Sequence, residues 1–582
     1  MNPVLELVND EFMLVTNPRE SDTVKQIPGA RYIKEAGAWR LPKGMGPVSM
    51  AGGLFGGRLQ WGPQIIEWGK AERARLAELE VLKTAELPFN PEGWAARLYD
   101  FQRNGSAWAW KGRRALLTDD MGTGKTVQLS SALKLIALTD PAATWPVLII
   151  CPNSMKHKWA EELEKWGPEH GGIVVVGGTP TQKRKQFAAD ASIWIINWES
   201  LFRHSRLAPY GSTTLSEAER TEKELDEIGF KTVIADEIHR ACDPNAKQTR
   251  AWWNLSHKAV ASLAASGTPI RNKPDDLWSI GHGLWPEDFA TKSKWVSRYC
   301  HSGQNLYGGF EVWGWNAATQ GELFSYLDPK MLRRTKAEVL PQLPETVFST
   351  RYVELDPKQR KAYDSMEQEM MSVVDGDPVL AGTPLELRIR LTQLAGGTPV
   401  IEDGKVTALT KPSCKVDAML DILDEAPGEP LVVFSRSRLL IELCGRILEQ
   451  KKITHTYITG AVPPAERGQN VALFQEGEAQ VALCTFGAGA EGITLTRANR
   501  MVRLDLSESM IQNKQAPDRI NRIGQEAKKV EVIDLVALGT VEEDIRAASG
   551  PDGLKEENLE GLLRDRARRL SAQADGKKRG AK

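Results

Sequence analysis

The sequence lacks the features that mark secreted, membrane-spanning or broadly basic proteins. Its six cysteines are scattered without a Cys-x-x-Cys pair, which favours free thiols in a reducing cytoplasm over disulfides or a zinc site. No apolar run approaches the ~20 residues that a membrane span requires. Residues 1–11 lack the basic and then apolar pattern of a signal peptide. The formal net charge is −1, so any contact with nucleic acid must come from local patches. We therefore expect a cytoplasmic protein that has no membrane partner.

Tryptophan is absent from residues 316–582, because all 18 tryptophans lie between Trp39 and Trp315. Intrinsic fluorescence would therefore report only on the first part of the chain. Hydrophobic residues make up 41% and charged residues 26%, as is typical of a globular protein with a core. The length of 582 residues allows several domains.

A glycine-rich stretch at residues 119–126, Asp-Asp-Met-Gly-Thr-Gly-Lys-Thr, has the pattern of a phosphate-binding loop. Its glycines allow backbone N–H groups to close around phosphates. Lys125 would reach the β- and γ-phosphates, and the hydroxyl of Thr126 would bind Mg²⁺. The strict pattern has a glycine where Asp119 stands, so this chain departs from it. The predicted nucleotide-binding residues of the loop are Gly122, Thr123, Gly124, Lys125 and Thr126.

A second half of an ATP site is predicted downstream, where an apolar run ends in two carboxylates. Residues 233–235 indicate a buried strand, and Asp236 and Glu237 follow it. Asp236 is placed to hold Mg²⁺, and Glu237 could orient the attacking water. Neither half identifies a function alone. Together, and in this order, they predict a site that binds and hydrolyses ATP.

Short apolar runs alternate with helical patterns along much of the chain, which predicts an α/β fold. The runs at 147–151, 193–196 and 233–235 come before Pro152, Asn197 and Asp236, and similar runs resume at residue 431. Continuous apolar strands that alternate with helices indicate parallel sheets covered on both faces. In such sheets ligands bind at the carboxyl ends of the strands, where these polar residues fall.

In chain order these elements resemble the Swi/Snf-type branch of the superfamily-two helicases, over roughly residues 97–548. The resemblance implies an α/β protein with two RecA-like lobes, helical insertions between them and a small N-terminal domain. The predicted segments are residues 1–60 (a small substrate-recognition domain), 61–90 (a helical connector), 91–325 (ATP-binding lobe 1), 326–410 (linker and helical insertion), 411–549 (lobe 2) and 550–582 (a basic tail).

Several short elements carry the resemblance and imply contacts with ATP or DNA. Residues 98–102 resemble the adenine-recognition element, in which Gln102 would bind the base edge; a helix start with buried aromatics is the alternative. The linker at 331–336 is typical of this branch. For the DNA contacts, a solvated helix end or core packing stays open at several positions. The residues that the resemblance assigns to DNA contact in the lobes are Ser154, Lys156, Lys158, Asn197, Thr268, Arg333, Arg334 and Thr485.

Two elements of the second lobe complete the resemblance. Residues 488–496 resemble the element that contacts both nucleic acid and nucleotide, and Gly492 belongs to it. Residues 515–525 begin with Gln515 and carry Arg519 and Arg522, which would lie three apart on one face of a helix. Both guanidinium groups could therefore reach one triphosphate. The family has Trp-x-Pro where this chain has residues 508–510, Glu-Ser-Met, which leaves the local surface of lobe 2 in doubt.

The N-terminal stretch resembles the small substrate-recognition domain of the HepA-related (HARP-type) annealing helicases. The similarity lies in residues 25–32 and 38–42. Arg31 and Trp39 would offer a phosphate donor and a stacking face to a splayed strand or a fork junction. A small β-hairpin domain that packs its aromatics internally stays equally open.

These elements predict an ATP- and Mg²⁺-dependent motor that moves on double-stranded or forked DNA. With a HARP-like domain in front, the predicted tasks are fork remodelling, branch migration or strand annealing. The alternatives are a remodeller of protein–DNA or transcription complexes, a DNA-binding scaffold without ATPase activity, and an RNA helicase. We expect a monomer in a bacterial or phage-infected cytoplasm, with single-strand-binding or replication proteins as candidate partners.

Overall fold

A computed structural model of the protein describes residues 2–549 with short gaps. The gaps are residues 86–88, 90–92, 212–213, 269–272, 305–308, 370, 375–376, 381–383, 403–404, 490–491 and 508. The predicted basic tail, residues 269–272 that follow Thr268, and part of the element at 488–496 thus lie outside the described residues. The chain divides into two compact units, residues 1–339 and 340–582. Among the described residues, no helix is both long and apolar enough to cross a membrane.

The first unit begins with a small five-stranded sheet of order β3-β4-β2-β1-β5. Its elements are β1 (Val4–Val8), β2 (Glu11–Val15), α1 (Ser21–Val24), β3 (Arg31–Ile33), β4 (Ala38–Leu41), α2 (Met45–Phe55), β5 (Gln60–Trp61) and then the long α3 (Pro63–Thr84). Successive side chains of β2 point to opposite faces of the sheet, so Phe12 and Leu14 are buried together in a core of their own.

The main body of the first unit is a seven-stranded sheet of order β14-β6-β11-β10-β7-β9-β8, in which all neighbours are parallel. Its elements are α4 (Asp100–Gly112), β6 (Arg114–Leu117), α5 (Lys125–Thr139), β7 (Val147–Cys151), α6 (Lys156–Trp166), β8 (Ile173–Val175), α7 (Pro180–Phe187), β9 (Ile193–Asn197), α8 (Trp198–Leu201), α9 (Glu217–Arg220), α10 (Glu224–Ile228), β10 (Thr232–Asp236), α11 (Lys247–Lys258), β11 (Ala261–Ala265), α12 (Asp276–Leu284), α13 (Lys292–Tyr299), β12 (Cys300–Gln304), β13 (Phe310–Trp315), α14 (Ala317–Leu327), β14 (Met331–Leu332) and α15 (Lys336–Val339). Apolar side chains form a separate core on each face of this sheet.

The second unit contains a six-stranded sheet of order β15-β24-β23-β20-β22-β21, again with all neighbours parallel. Its elements are β15 (Glu345–Val353), α16 (Pro357–Glu369), β16 (Met371–Val374), β17 (Asp377–Leu380), α17 (Pro384–Gly396), β18 (Thr398–Glu402), β19 (Lys405–Thr410), α18 (Cys414–Glu425), β20 (Leu431–Ser435), α19 (Arg438–Gln450), β21 (His455–Ile458), α20 (Pro464–Glu476), β22 (Val481–Thr485), α21 (Phe486–Gly489), β23 (Arg500–Arg503), α22 (Met510–Gln515), β24 (Lys529–Ala537) and α23 (Val541–Ser549). The predicted α/β class with parallel sheets is confirmed.

The stretch between the two runs of strands is less helical than the sequence predicts. The antiparallel hairpins β12–β13, β16–β17 and β18–β19 lie within it. Between β18 and β19 the sequence reads Asp403-Gly404, a dipeptide that strongly favours a hairpin turn. The predicted helical insertion at residues 326–410 therefore also contains two hairpins, β16–β17 and β18–β19.

Candidate ATP site and nucleic-acid contacts

The phosphate loop joins β6 to α5 and depends on two glycines. Gly122 has φ +81° and Gly124 has φ +79°, a region that glycine adopts without steric cost. A Cβ atom on Gly124 would lie 2.5 Å from Gln102 Nε2. Lys125 Nζ donates to the carbonyl oxygens of Asp119 and Asp120 at 2.9 and 3.0 Å. The loop thus curls around an ammonium group at the N-terminus of a 15-residue helix, which is a favourable place for phosphate.

Asp119, the departure from the strict pattern, has a structural explanation. Its carboxylate is fully buried and accepts hydrogen bonds from Arg334 Nε at 3.1 Å and Arg334 Nη2 at 2.6 Å. Gln128 Nε2 donates to the same carboxylate at 3.1 Å. The third donor group of Arg334, Nη1, donates to the carbonyl of Phe101 at 2.7 Å. An aspartate in the loop therefore binds the arginine of the linker, which a glycine could not do.

Gln102 is buried and holds the phosphate loop in this structure. Its Nε2 donates to the carbonyl oxygen of Thr123 at 3.1 Å, and its Oε1 accepts from Tyr99 N at 3.2 Å. Both ends of the amide are therefore engaged by the protein. Recognition of an adenine edge by Gln102 stays a prediction.

Asp236 lies at the carboxyl end of β10, in the centre of the sheet. Trp159 Nε1 donates to its Oδ2 at 2.8 Å, and Glu237 N donates to its Oδ1 at 2.9 Å. Burial and then the charge of Glu237 raise the pKa of Asp236 to about 6, although the bond from Trp159 and the charge of Lys125 oppose this. A buried carboxylate that is so costly to ionise fits a divalent cation, which would stabilise its charged form.

Glu237 adopts a backbone conformation that is rare outside glycine, with φ +50°, and such residues cluster at functional sites. Ser266 Oγ lies 3.3 Å from Glu237 Oε2 and 3.0 Å from His239 Nδ1. His239 Nδ1 is also 3.1 Å from Glu237 Oε2. Thr268 N donates to Ser266 Oγ at 3.2 Å. Ser266 thus connects Glu237 to the element that contains Thr268. The sequence analysis assigns no role to His239. Its position two residues after Glu237, in Asp-Glu-Ile-His, could have indicated that it contacts this carboxylate.

The two arginines of the second unit converge on one acceptor. Arg519 Nη1 and Arg522 Nη1 donate to the carbonyl oxygen of Ile493 at 3.4 and 3.0 Å. Ile493 follows Gly492, which has φ +76°. Arg519 Nε also donates to the carbonyl of Gln515 at 3.1 Å. The four residues predicted to bind or act on the nucleotide from this unit therefore belong to a single cluster.

The prediction that Arg519 and Arg522 share a face of one helix is wrong, because Arg519 is the last residue of a short 3-10 helix and Arg522 lies beyond it. Helix α22 ends at Gln515, and a 3-10 turn follows at Pro517–Arg519. Pro517 has no N–H group to continue the helix. The carbonyl of Asn513, which that N–H would have bound, accepts a hydrogen bond from Arg503 Nη1 at 3.0 Å instead.

Two residues that the resemblance assigns to DNA contact are held inside the first unit. Lys156 is buried and its Nζ donates to the carbonyl of Val176 at 2.8 Å. Burial lowers the pKa of Lys156, as expected for an ammonium group removed from water. The Arg334 side chain is 12% exposed and binds Asp119. These placements argue against direct contact of either side chain with a phosphate backbone.

The other predicted DNA contacts are more accessible and stay predictions. Ser154 is exposed, and Lys158 Nζ lies 3.1 Å from Glu162 Oε1 at the same end of α6. Asn197 Nδ2 donates to Glu199 Oε2 at 2.8 Å, and the Arg333 side chain is 50% exposed. Thr485 ends β22 of the second unit and is partly exposed.

In the N-terminal sheet, the two residues predicted to contact DNA differ in exposure: Trp39 is buried and Arg31 is exposed. Trp39 is 7% exposed and belongs to the core of that sheet. Arg31 is exposed, and the ring of Tyr32 is 52% exposed and meets Trp39 edge to face at 5.4 Å. Internal packing therefore accounts for Trp39, and a stacking surface would have to use Tyr32.

Comparison with known proteins places the chain in a family. The model of the SNF2-related domain matches residues 99–393, and that of the helicase conserved C-terminal domain matches residues 414–524. The protein belongs to the SNF2-related family. The matched regions contain both halves of the predicted ATP site, in the order in which the sequence presents them.

Curated relatives match this SNF2-related chain over most of its length. The "DNA annealing helicase and endonuclease ZRANB3" of Bos taurus is 28% identical over 78% of this chain and 40% of that protein. The "SWI/SNF-related matrix-associated actin-dependent regulator of chromatin subfamily A-like protein 1" of Xenopus laevis is 28% identical over 83% of this chain and 47% of that protein. The "Uncharacterized ATP-dependent helicase MG018" of Mycoplasma genitalium is 27% identical over 77% and 41%. The chain thus spans less than half the length of these relatives.

Proposed function

We propose that the protein is an ATP-dependent translocase on double-stranded DNA. The observation that carries the proposal is the cluster at the carboxyl edge of the first parallel sheet. There the glycine loop around Lys125, the buried Asp236 and the Glu237–Ser266 contact follow three strands that are neighbours in the sheet, β6, β11 and β10. Membership of the SNF2-related family supports a role for the second unit as well. There Arg519 and Arg522 donate to the same carbonyl oxygen, that of Ile493.

Each residue of the proposed site has a chemical task. Lys125 offsets phosphate charge, while Thr126 and Asp236 provide the oxygen ligands that Mg²⁺ prefers. Mg²⁺, when bound there, would neutralise charge on the phosphates. Glu237, held by Ser266 and His239, orients the attacking water. Arg519 and Arg522 stabilise the charge that develops on the transferred phosphoryl group, a contribution worth about 10³–10⁵ in rate.

For the DNA task we propose fork remodelling, branch migration or strand annealing in replication and repair. The HARP-like stretch at residues 25–42 and the relative named as a DNA annealing helicase support this choice. Contacts with phosphates would make movement nearly independent of sequence. We propose action as a monomer in the cytoplasm. The alternative is a remodeller of protein–DNA complexes, and the second relative's name keeps that reading open.

One panel of assays tests the proposal. ATP turnover is measured with duplex DNA, forked DNA, single-stranded DNA and RNA, and annealing of complementary strands is followed with and without ATP. We expect duplex and forked DNA to stimulate turnover and ATP to drive annealing or fork regression. Stimulation by RNA alone would instead indicate an RNA helicase, and DNA binding without turnover would indicate a scaffold.

A further inference from the structure

The segment that joins the two units, residues 331–344, runs along the phosphate loop before it leaves the first unit. We call it the linker strap. Its strand β14 pairs in parallel with β6, and the pairing continues beyond the strand. Thr118 N donates to the carbonyl of Leu332 at 2.7 Å, and Asp120 N donates to the carbonyl of Arg334 at 3.0 Å. Lys336 N then donates to Asp120 Oδ2 at 3.0 Å. Backbone and side chain of the loop are therefore both bound to the strap.

Arg334 is the strongest of these connections. Two of its nitrogens bind the buried Asp119 carboxylate at 3.1 and 2.6 Å, and Nη2 also donates to Gln128 Oε1 at 2.9 Å. Such a two-pronged pair between arginine and carboxylate fixes geometry as well as charge. Gln128 belongs to α5, the helix that Lys125 begins. The strap thus binds the loop and its following helix at once.

A glycine in α4 leaves the space for this cluster. A Cβ atom on Gly105 would lie 1.8 Å from Gln128 Oε1 and 2.9 Å from Arg334 Nη2. Glycine inside a helix lowers its stability relative to alanine, so its presence here indicates a packing requirement. Gln128 and Arg334 approach α4 so closely at Gly105 that any side chain there would overlap them.

The strap is also held at its other end, where Pro344 accepts a hydrogen bond from Asn521 of the second unit. Asn521 lies between Arg519 and Arg522, and its Nδ2 donates to the carbonyl of Pro344 at 3.0 Å. Strand β15 begins at the next residue, Glu345. Within each unit, therefore, one end of the same short segment contacts close sequence neighbours of residues proposed to act on ATP: Asp119 and Asp120 in the phosphate loop, and Asn521 beside Arg522.

We propose that Arg334 is a positioning residue of the ATP site, which sets the shape of the phosphate loop through Asp119 and couples that shape to the linker strap. This inference rests on the proposed ATPase function. It differs from the DNA contact that the resemblance assigns to Arg334. In this role Arg334 acts through the loop and touches neither nucleotide nor DNA.

Two pairs of variants test the inference. Arg334→Lys keeps the charge but loses the two-pronged geometry, and Arg298→Ala, which breaks an exposed arginine–glutamate pair of the same unit, is its control. Gly105→Ala crowds the cluster, and Gly112→Ala in the same helix, where a Cβ would meet only ordinary contacts, is its control. For each we would measure KM for ATP, kcat, the Kd for duplex DNA and the melting temperature.

We expect Arg334→Lys and Gly105→Ala to raise KM for ATP about tenfold, the effect of losing one charge-assisted hydrogen bond. The Kd for DNA should stay within about twofold, and both controls should match the wild type. Weaker DNA binding with an unchanged KM in Arg334→Lys would overturn the inference and support a DNA contact. Equal loss of melting temperature in Gly105→Ala and Gly112→Ala, with KM unchanged, would also overturn it. A wild-type protein without DNA-stimulated turnover would instead refute the proposed function.

Discussion

Lys125 and Glu237 are the residues at which substitution tests the proposed chemistry most directly. Lys125→Ala removes the ammonium group around which the phosphate loop curls, so we expect ATP binding and turnover to be lost while the fold is kept. Glu237→Gln keeps the size of the side chain and removes its charge. We expect this variant to bind ATP and to lose about 10²–10⁴ in turnover, the usual contribution of a group that accepts or orients a proton.

Nucleotide binding and DNA-stimulated ATP turnover would be measured separately for both variants. Lys247→Ala is a suitable control, because Lys247 forms an exposed pair with Glu219 in the same unit. If either Lys125→Ala or Glu237→Gln kept more than about a tenth of wild-type turnover, the assignment of the site would be wrong, since a phosphate contact and a group that orients the water each contribute about two orders of magnitude or more.

At the scale of elements, the sequence predicts features that depend on neighbouring residues and misses those that depend on distant ones. The apolar run before Asp236 and the glycines of the phosphate loop are local, and both strand and loop lie where predicted. The pair between Asp119 and Arg334 joins residues 215 positions apart. No local pattern reveals it, so Arg334 is assigned to DNA by resemblance alone. Pro517 is a local signal that helix α22 ends before Arg519. The resemblance to the family, which implied a helix through both arginines, did not take this proline into account.

A buried ion pair of the second unit is linked to helix α22, which precedes the arginine cluster, because Arg503 Nη1 donates to the carbonyl of Asn513. Arg503 and Asp534 are fully buried, with Nε–Oδ1 and Nη2–Oδ2 distances of 2.6 and 3.0 Å. Arg503→Met leaves the Asp534 charge buried beside Arg546, whose Nη1 lies 3.5 Å from Asp534 Oδ2. We expect a loss of about 3–5 kcal/mol in the free energy of unfolding. The double variant with Asp534→Leu should recover much of that loss, because it also removes the fully buried carboxylate.

Urea unfolding followed by circular dichroism would measure these effects. Arg351→Ala breaks an exposed pair with Glu425 in the same unit and should cost about 0–1 kcal/mol. A double variant that is as unstable as Arg503→Met would show that packing, not charge, dominates the site.

At the scale of the whole molecule, the N-terminal sheet is bound to the body of the first unit. Lys294 Nζ donates to the carbonyl of Ile27 at 3.2 Å, and Gly46 N donates to Asp288 Oδ1 at 3.3 Å. Lys330 Nζ binds the other oxygen of Asp288 at 2.9 Å, one residue before the linker strap. Deleting residues 1–60 would therefore expose Asp288 and disturb the body as well, so point substitutions test the sheet more cleanly.

Substitutions at Tyr32 and Trp39 would test separately whether that sheet recognises DNA and how much it contributes to folding. Tyr32→Ala removes an exposed ring, and we expect fork binding to weaken by about 1–3 kcal/mol, the value of one stacked base, with turnover on plain duplex unchanged. Trp39→Ala empties part of the core and should cost about 3–5 kcal/mol in stability. Fork and duplex affinities by fluorescence anisotropy, with melting curves, would distinguish the two. Equal losses on forks and duplex in Tyr32→Ala would contradict a junction-specific role.

The uneven distribution of tryptophan gives a direct reporter of the proposed metal and nucleotide site. Trp159 Nε1 donates to Asp236 Oδ2 at 2.8 Å, and a bound cation would be the largest local charge near this indole. We expect Mg²⁺ with ATP to shift the intrinsic emission, and ATP with a chelator to give a smaller shift. Trp159→Phe should lose most of the response. Trp313→Phe, which removes a 63% exposed ring in the β12–β13 hairpin, should keep it. An equal response in wild type and Trp159→Phe would remove Asp236 from the proposed metal site.

The second unit has no tryptophan in residues 340–582. If substitution of Arg519 or Arg522 changes the emission shift, the effect must therefore reach the tryptophans of the first unit through the nucleotide or through the chain.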